Sequence, residues 1–324
     1  MSEPVLSIRG LRTQFHTRRG VVKAVDGLDL SIEAGETFGL VGESGCGKSV
    51  TALSILRLLS RPAGRIAAGE IRLNGTDLVA LSETEMRRIR GNRISMIFQE
   101  PMSSLNPVYT VGFQIKEVLR KHRGMSAAEA RAEAAGLLGL VGMPEPAARL
   151  DDYPHQFSGG MRQRAMIAMA LACRPDLMIA DEPTTALDVT IQAQILELIA
   201  RLKAELGMSV LLITHDLGVV AEVCRNAAVM YAGRVVESAA VAELYRRPAH
   251  PYTVGLFESR PRAGGEGALR PIPGVVPSLS DLPPGCAFQD RCFRRHERCV
   301  EDPPWREIAR GHRARCWQPL EGGR

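Results

Sequence analysis

The sequence predicts an α/β fold built on a mainly parallel sheet, with an all-helical insertion and a short cysteine-containing tail. From residue 1 to about 258, apolar β-type runs alternate with helical patterns, which favours a parallel sheet covered by helices on both faces. A phosphate-binding pattern joins one of these strands to a helix. Between about residues 100 and 165, helical spacing replaces the strand signals, and from about 259 onward proline and cysteine accumulate.

The composition is that of a globular chain, and it excludes several function classes. The 324 residues are 45% hydrophobic and 24% charged, and this length suggests about two domains. The net charge of +5 is too small to indicate a nucleic-acid partner. No apolar run approaches the ~18 residues that would span a membrane, and the first residues lack the pattern of a secretion signal. We therefore expect a cytosolic chain whose seven cysteines are thiols or metal ligands rather than disulfides.

Apolar periodicity and turn residues locate the individual elements. The predicted strands are Thr37–Val41, Ile94–Phe98, Leu177–Ala180 and Val210–Thr214. The predicted helices are Lys48–Leu59, Ala127–Val141 and Ile191–Leu206, the second opened by a capping box at Ser126 and Glu129. A hairpin is predicted at Ala228–Glu237, turning at Ala232-Gly233. The glycines of the predicted flexible link to the tail are Gly264, Gly265 and Gly267.

A phosphate-binding loop follows the strand Thr37–Val41 and opens a helix. Its G-x-x-x-x-G-K-[ST] pattern consists of Gly42, Glu43, Ser44, Gly45, Cys46, Gly47, Lys48 and Ser49. In this context the glycines let backbone N–H groups surround phosphates, and the helix N-terminus adds partial positive charge. Lys48 is expected to reach the β- and γ-phosphates, and Ser49 to bind Mg²⁺. The loop predicts ATP and Mg²⁺ as ligands.

Two acids follow the apolar strand Leu177–Ala180. Asp181 is predicted to hold Mg²⁺, through water, and Glu182 to polarise the attacking water as general base. An acid pair at a strand end is weak as a signal by itself. Together with the phosphate loop it predicts nucleotide hydrolysis.

The segment Phe157–Gln163 resembles the signature of the ATP-binding cassette (ABC) family, usually written LSGGQ. Phe157 and Met161 depart from that string, whereas the phosphate-contacting residues Ser158, Gly159 and Gly160 are intact. In the family this element contacts ATP bound to the opposite subunit. The resemblance therefore implies that two subunits pair head to tail to complete each ATP site.

The other family elements occur in order along residues 5–240. Gln99 is similar to the Q-loop glutamine, which implies roles in catalysis and Mg²⁺ binding, and residues 185–188 resemble the D-loop. His215 resembles the switch histidine that contacts the γ-phosphate. Phe15 lies where the family has an aromatic residue that stacks on adenine, and the neighbouring His16 is an alternative. The resemblance implies a P-loop NTPase fold with the ABC ATPase domain at residues 1–258, its helical subdomain at about 100–165, and a tail at 259–324.

Further segments resemble one branch of the family. The Q-loop Gln99–Pro107, the segment His250–Thr253 and the tail segment Ile272–Pro277 are similar to the D-type ATPase subunit of dipeptide and oligopeptide importers. This resemblance implies an ATPase that energises peptide uptake from the cytoplasmic face of the inner membrane, as a peripheral subunit. The implied partners are two membrane permeases, a second homologous ATPase, with a heterodimer favoured over a homodimer, and an extracytoplasmic peptide-binding protein.

Three alternatives remain open at this point. A nickel or glutathione importer uses closely similar ATPases. A non-transport cassette ATPase that acts on DNA or ribosomes is a second alternative, although the long coiled coils or paired cassettes typical of that class are absent from the sequence. A regulatory module without turnover is the third, and intact Glu182 and His215 argue against it.

Four cysteines dominate the tail. Cys286, Cys292, Cys299 and Cys316 have the spacing C-x5-C-x6-C-x16-C, which differs from the paired C-x2-C of zinc ribbons. Four thiolates suit Zn²⁺ or an iron–sulfur cluster, and unligated thiols are the third alternative. The resemblance to peptide importers implies a [4Fe–4S] cluster, with a structural role because a short proline-rich tail needs a cross-link.

Overall fold

The computed structural model describes residues 3–18, 20–99, 104–185, 187–259 and 270–320. The predicted glycine link at 264–267, Q-loop residues 100–103 and D-loop residue Ala186 lie outside them. The chain forms two units. The first unit comprises Met1–Leu6, Ile32–Thr37 and Leu73–Ile213, and the second comprises Ser7–Ser31, Phe38–Arg72 and Thr214–Arg324.

The elements alternate as the sequence predicts. The strands are β1 (Leu6–Thr17), β2 (Gly20–Ile32), β3 (Thr37–Val41), β4 (Gly64–Leu73), β5 (Thr76–Asp77), β6 (Ile94–Ile97), β7 (Leu177–Asp181), β8 (Ser209–Thr214), β9 (Asn226–Tyr231), β10 (Arg234–Ala240), β11 (Trp305–Ala309) and β12 (His312–Arg315). The α-helices are α1 (Lys48–Ile55), α2 (Glu83–Ile89), α3 (Val111–Arg123), α4 (Ala127–Leu140), α5 (Pro146–Arg149), α6 (Gly159–Leu171), α7 (Val189–Leu206), α8 (Leu217–Val223), α9 (Val241–Arg246) and α10 (Pro251–Glu258).

In the second unit, five strands lie in the order β11-β12-β10-β9-β3. Strands β3 and β9 are parallel, with Val41 opposite Val229, whereas β9 and β10 form an antiparallel hairpin. The hairpin turns through Ala232 and Gly233, whose φ angles of 46° and 84° suit the right-handed twist of the strands. The predicted hairpin is confirmed. Strands β2, β1 and β4 are neighbours in a separate sheet.

In the first unit, β8, β7 and β6 are parallel neighbours. Ile94 pairs with Leu177, which in turn pairs with Ser209. Every residue of β7 is buried, as expected for a strand covered on both faces. Helix α6 packs against β6 and against α3, α4 and α7. The predicted α/β class with a parallel sheet is confirmed.

The helical insertion begins its second helix with the predicted cap. The Ser126 hydroxyl accepts from the Glu129 N–H at 3.3 Å, and the Glu129 carboxylate accepts from the Ser126 N–H at 2.8 Å. This reciprocal pair satisfies two N–H groups that a helix start would otherwise leave unbonded. Helix α4 therefore begins at Ala127, as predicted.

Two features differ from the predictions by more than a small shift at an element's end. Helix α1 ends at Ile55 rather than Leu59, because Arg57 adopts the left-handed φ of 52° that stops a helix. The tail contains a hairpin, β11–β12, where the sequence shows little regular periodicity. Its strand β12 pairs with β10 through Ala314 and Glu237.

His250 caps α10 and makes the fold sensitive to acid. Its Nδ1 accepts from the Tyr252 N–H at 3.1 Å, so the cap requires a neutral ring. Burial lowers the pKa of His250 to about 4, although Glu237 acts in the opposite direction. The unfolded chain, with a histidine pKa near 6.5, takes up the proton first, so stability falls as the pH drops from 6.5 to about 4.

We expect His250→Asn, which keeps a capping side chain, to remove this part of the pH dependence. The loss of unfolding free energy between pH 6.5 and pH 4 should shrink by up to roughly 3 kcal/mol. Urea unfolding of both proteins across this range measures it. Equal losses in the two proteins would contradict the assignment, since every other titrating group is common to both.

Candidate functional site

The phosphate-binding loop lies in the second unit, between β3 and α1. Its first and last glycines are required by close approach of other backbone segments. A Cβ on Gly42 would lie 2.2 Å from the Met230 carbonyl oxygen, and one on Gly47 would lie 2.4 Å from the Ala24 carbonyl oxygen. Ser44 and Gly45 are exposed at the outer turn of the loop. The loop is thus buried at both ends and open in the middle.

Lys48 begins α1 and points along the inner side of the loop. Its Nζ donates to the carbonyl oxygens of Gly42 at 2.7 Å and Glu43 at 3.0 Å, and the residue is 5% exposed. Burial raises the pKa of the nearby Cys46 thiol, with Lys48 opposing it, so this thiol is neutral. Ser49 follows in the first turn, half-buried, where its hydroxyl is an oxygen donor of the kind that Mg²⁺ binds.

Glu43 makes two contacts that the sequence does not predict. Its N–H donates to the Tyr252 hydroxyl at 2.9 Å, and its carboxylate accepts two hydrogen bonds from Arg291. No local pattern relates either partner to the loop, because they lie 209 and 248 residues further along the chain.

The acid pair lies at the end of β7 in the first unit. Asp181 is 3% exposed and Glu182 is 9% exposed. Glu182 has a φ of 47°, a left-handed conformation that is strained for a residue with a Cβ. Its N–H donates to the Ile213 carbonyl oxygen at 2.8 Å, which fixes this conformation at the end of the strand.

Two side chains orient the Glu182 carboxylate. The Gln99 amide donates to Oε2 at 3.1 Å, and the Thr185 hydroxyl donates to the same oxygen at 2.9 Å. The predicted catalytic residues Gln99 and Glu182 are therefore in direct contact. The sequence indicates no role for Thr185 beyond its place in the D-loop, although its i+3 spacing from Glu182 is compatible with this hydrogen bond.

The signature segment forms the start of α6. Ser158 caps the helix by accepting from the Met161 N–H at 3.3 Å, and Ser158 and Gly159 are exposed. A Cβ on Gly160 would lie 3.1 Å from Cγ2 of Ile191, which favours glycine there. Phe157 is 2% exposed, so the position is buried and apolar in this chain, and the difference from the leucine of LSGGQ keeps it apolar. The exposed helix N-terminus suits an anion.

The remaining predicted nucleotide residues lie in the second unit. His215 follows β8 directly and is exposed. Phe15 is half-buried near the end of β1, beside Gly64, and His16 is exposed. The predicted site is thus divided between the units: Gln99, Asp181, Glu182 and the signature belong to the first, whereas the phosphate loop, Phe15, His215 and the four tail cysteines belong to the second.

The four tail cysteines are unbridged thiols, and the Cys286 N–H donates to the Cys299 carbonyl oxygen at 2.9 Å. Burial, together with the neighbouring thiols, raises the pKa of Cys286 and of Cys292 to about 11. Nevertheless, within the parts of the chain that the structure describes, no three histidine, cysteine, aspartate or glutamate side chains form a group that could hold a metal ion. The predicted [4Fe–4S] cluster is thus not supported by the side-chain geometry.

Comparison with known families gives two matches. The profile of the family described as ABC transporter matches residues 25–185. The profile of the oligopeptide/dipeptide transporter C-terminal region matches residues 236–299. The second match contains α10 and three of the four tail cysteines.

Similar curated proteins span nearly the whole chain. A putative peptide import ATP-binding protein of Brucella melitensis is 55% identical over 98% of both chains. The dipeptide transport ATP-binding protein DppD of Bacillus subtilis is 52% identical, covering 97% of this chain and 95% of its own. The oligopeptide transport ATP-binding protein OppD of Salmonella typhimurium is 50% identical, covering 98% and 94%.

Among solved structures, a dimeric ATP-binding cassette in a post-hydrolysis state bound to ADP and Pi is similar to this chain. Its TM-score is 0.65 at 28% identity, and the match covers 73% of this chain and 98% of that one. A cassette from Clostridium perfringens, described as part of an ABC transporter complex, matches with a TM-score of 0.63 at 25% identity, covering 75% and 91%.

Proposed function

This chain belongs to the ABC transporter ATPases, and from that membership we propose that it hydrolyses ATP to drive uptake of dipeptides or oligopeptides across the cytoplasmic membrane. The observation that carries this proposal is the combination, in one chain, of a complete phosphate-binding loop and a C-terminal region that matches oligopeptide/dipeptide transporters. We place the ATPase domain at residues 1–258, with its helical subdomain at about 100–165, and the tail at 259–324.

The nucleotide would be bound by the loop from Gly42 to Ser49, with Lys48 exchanging the carbonyl oxygens of Gly42 and Glu43 for phosphate oxygens. Phe15 would stack on adenine. Ser49, Gln99 and Asp181 offer the oxygen donors that suit Mg²⁺, which would neutralise charge on the phosphates.

Hydrolysis would depend on the contacts around Glu182. The carboxylate would accept a proton from the attacking water, and the hydrogen bonds from Gln99 and Thr185 hold it in one orientation. His215 would contact the γ-phosphate. The exposed N-terminus of α6, with Ser158, Gly159 and Gly160, would bind the nucleotide of a partner subunit, so the working unit would be a head-to-tail dimer.

The proposed partners are two membrane permeases, an extracytoplasmic peptide-binding protein and a second homologous ATPase, with a heterodimer favoured over a homodimer. In the described parts of the chain, every helix is too short or too polar to cross a bilayer. We propose that the chain binds its permeases as a peripheral subunit on the cytoplasmic face of the inner membrane.

Uptake of labelled di- and tripeptides tests this function in cells with and without the protein. Uptake should fall without it, and the unmutated chain should restore uptake while the Glu182→Gln form does not. Unchanged peptide uptake would contradict the proposed cargo, and nickel and glutathione would be tested next. The length of the peptides whose uptake falls would define the cargo class.

We also propose a [4Fe–4S] cluster on Cys286, Cys292, Cys299 and Cys316. Its support is the resemblance of the tail and the neighbouring thiols, which add to burial in raising the pKa of Cys286 and of Cys292. Protein purified without oxygen should contain about four iron atoms per chain and absorb broadly near ~400 nm. Colourless protein that contains zinc, or no metal, from a host that assembles such clusters would contradict the cluster.

A further inference from the structure

The phosphate-binding loop contains an acid at its second position, although its proposed ligand is a polyanion. The carboxylate of Glu43 is paired with a guanidinium from the tail: Arg291 Nη1 donates to Oε2 at 2.8 Å and Nη2 donates to Oε1 at 3.1 Å. This bidentate pair neutralises the Glu43 carboxylate and fixes its orientation. The loop therefore presents less negative charge to a phosphate than its sequence suggests.

Arg291 is itself held firmly. Its side chain is 6% exposed, and its Nε donates to the Pro273 carbonyl oxygen at 3.0 Å. The guanidinium carbon also lies 5.8 Å from the centre of the Tyr231 ring and 5.9 Å from that of Phe288. All three guanidinium nitrogens therefore donate hydrogen bonds, and two aromatic rings lie near the group. A surface arginine, whose ion pairs contribute little, lacks this environment.

Glu43 is also held through its backbone. The Glu43 N–H donates to the hydroxyl of Tyr252, a wholly buried side chain whose ring lies 4.6 Å from that of Tyr231. The Glu43 carbonyl oxygen accepts from Lys48 at 3.0 Å. One residue therefore connects the tail arginine, the buried tyrosines and the lysine that would bind phosphate.

We propose that Arg291 is a positioning residue for ATP binding. It neutralises and orients the Glu43 carboxylate, so that a residue of the C-terminal tail contributes to the affinity of the phosphate-binding loop for ATP. This inference rests on the proposed function as an ATPase. Without Arg291, the unpaired Glu43 carboxylate would lie in the phosphate loop and repel the nucleotide. The loop would also lose the two hydrogen bonds that hold the Glu43 side chain. Replacing both Glu43 and Arg291 by neutral residues would remove the repulsion between the carboxylate and the nucleotide.

The test is the affinity of the full chain for Mg²⁺ and a non-hydrolysable ATP analogue, measured by titration calorimetry. Arg291→Gln should raise Kd by between about 5-fold and about 150-fold. The double variant Glu43→Gln/Arg291→Gln should recover most of this loss, with a Kd close to that of Glu43→Gln alone. Arg291→Lys keeps the positive charge but cannot make the bidentate pair with Glu43, so its Kd should be intermediate.

The matched control is Arg295→Gln, because Arg295 lies in the same tail segment but pairs with Asp290 at an exposed position. Its Kd should stay within about twofold of the unmutated value. If Arg291→Gln does not fold, the Lys and double variants provide the same comparison. An unchanged Kd in Arg291→Gln (or in Arg291→Lys, if Arg291→Gln does not fold), or a double variant that binds more weakly than Glu43→Gln by the full loss caused by the Arg291 substitution, would overturn the inference. Failure of the unmutated chain to bind nucleotide would instead overturn the proposed function, and the inference with it.

Discussion

Replacing Glu182 by Gln is expected to leave ATP binding intact while lowering ATP turnover by about 10²- to 10⁴-fold in the assembled transporter. A glutamine side chain fills the same space at the end of β7 and can still accept from Gln99 and Thr185 through its amide oxygen. It cannot take a proton from water. The substitution therefore removes proton transfer from the attacking water while it keeps the hydrogen bonds that orient the side chain at position 182.

Phosphate release with saturating ATP measures this effect, and nucleotide affinity is measured in parallel. Glu197→Gln is the matched control, since Glu197 is an exposed acid on α7 in the same unit and undergoes the same chemical change. Its turnover should match that of the unmutated protein. Near-normal turnover of Glu182→Gln would refute its role as general base.

Lys48→Ala is expected to have the second large effect. Lys48 is 5% exposed and its ammonium donates to two carbonyl oxygens of the loop, so alanine removes both the expected phosphate contact and two hydrogen bonds that support the loop. Turnover should fall at least about 100-fold, as when a preorganised donor to developing charge is removed. Nucleotide binding should weaken as well, because the lysine contacts phosphates before and during the reaction.

The same two assays test this prediction, with Lys203→Ala as the control. Lys203 lies on α7, is half-exposed and loses the same atoms on substitution. If Lys48→Ala bound and hydrolysed ATP like the unmutated chain, the assignment of the phosphate loop would be wrong.

The parts of the fold that the sequence predicts well are those determined by local physics. Strands β3 and β7 are apolar apart from Thr37 and Asp181 at their ends, and both are wholly buried. The capping box at Ser126 places the start of α4 correctly. The contact between Gln99 and Glu182 could also be anticipated, because both follow parallel strands that pair directly.

The features that the sequence does not predict depend on contacts between residues far apart in the chain. Strand β12 has the sequence His-Arg-Ala-Arg, which contains no β-branched residue, and it pairs with β10. The pair of Glu43 and Arg291 joins residues 248 positions apart, so no window of sequence contains both. The tail cysteines are a further case: their count and resemblance suggest a cluster, whereas the described side chains form no group of three that could hold a metal ion, so the cluster stays a proposal.

The pairing of β12 with β10 has a consequence for aggregation and for the choice of expressed fragments. A chain cut after residue 258 would leave one side of β10 as an open edge, with unpaired backbone groups next to the apolar residues Val235 and Val236. In the full chain, β11 is the outermost strand instead. It is short and contains Arg306 and Glu307, the kind of charged side chains that discourage strand-to-strand association. Shortened forms should therefore precipitate before any change in their catalysis can be measured.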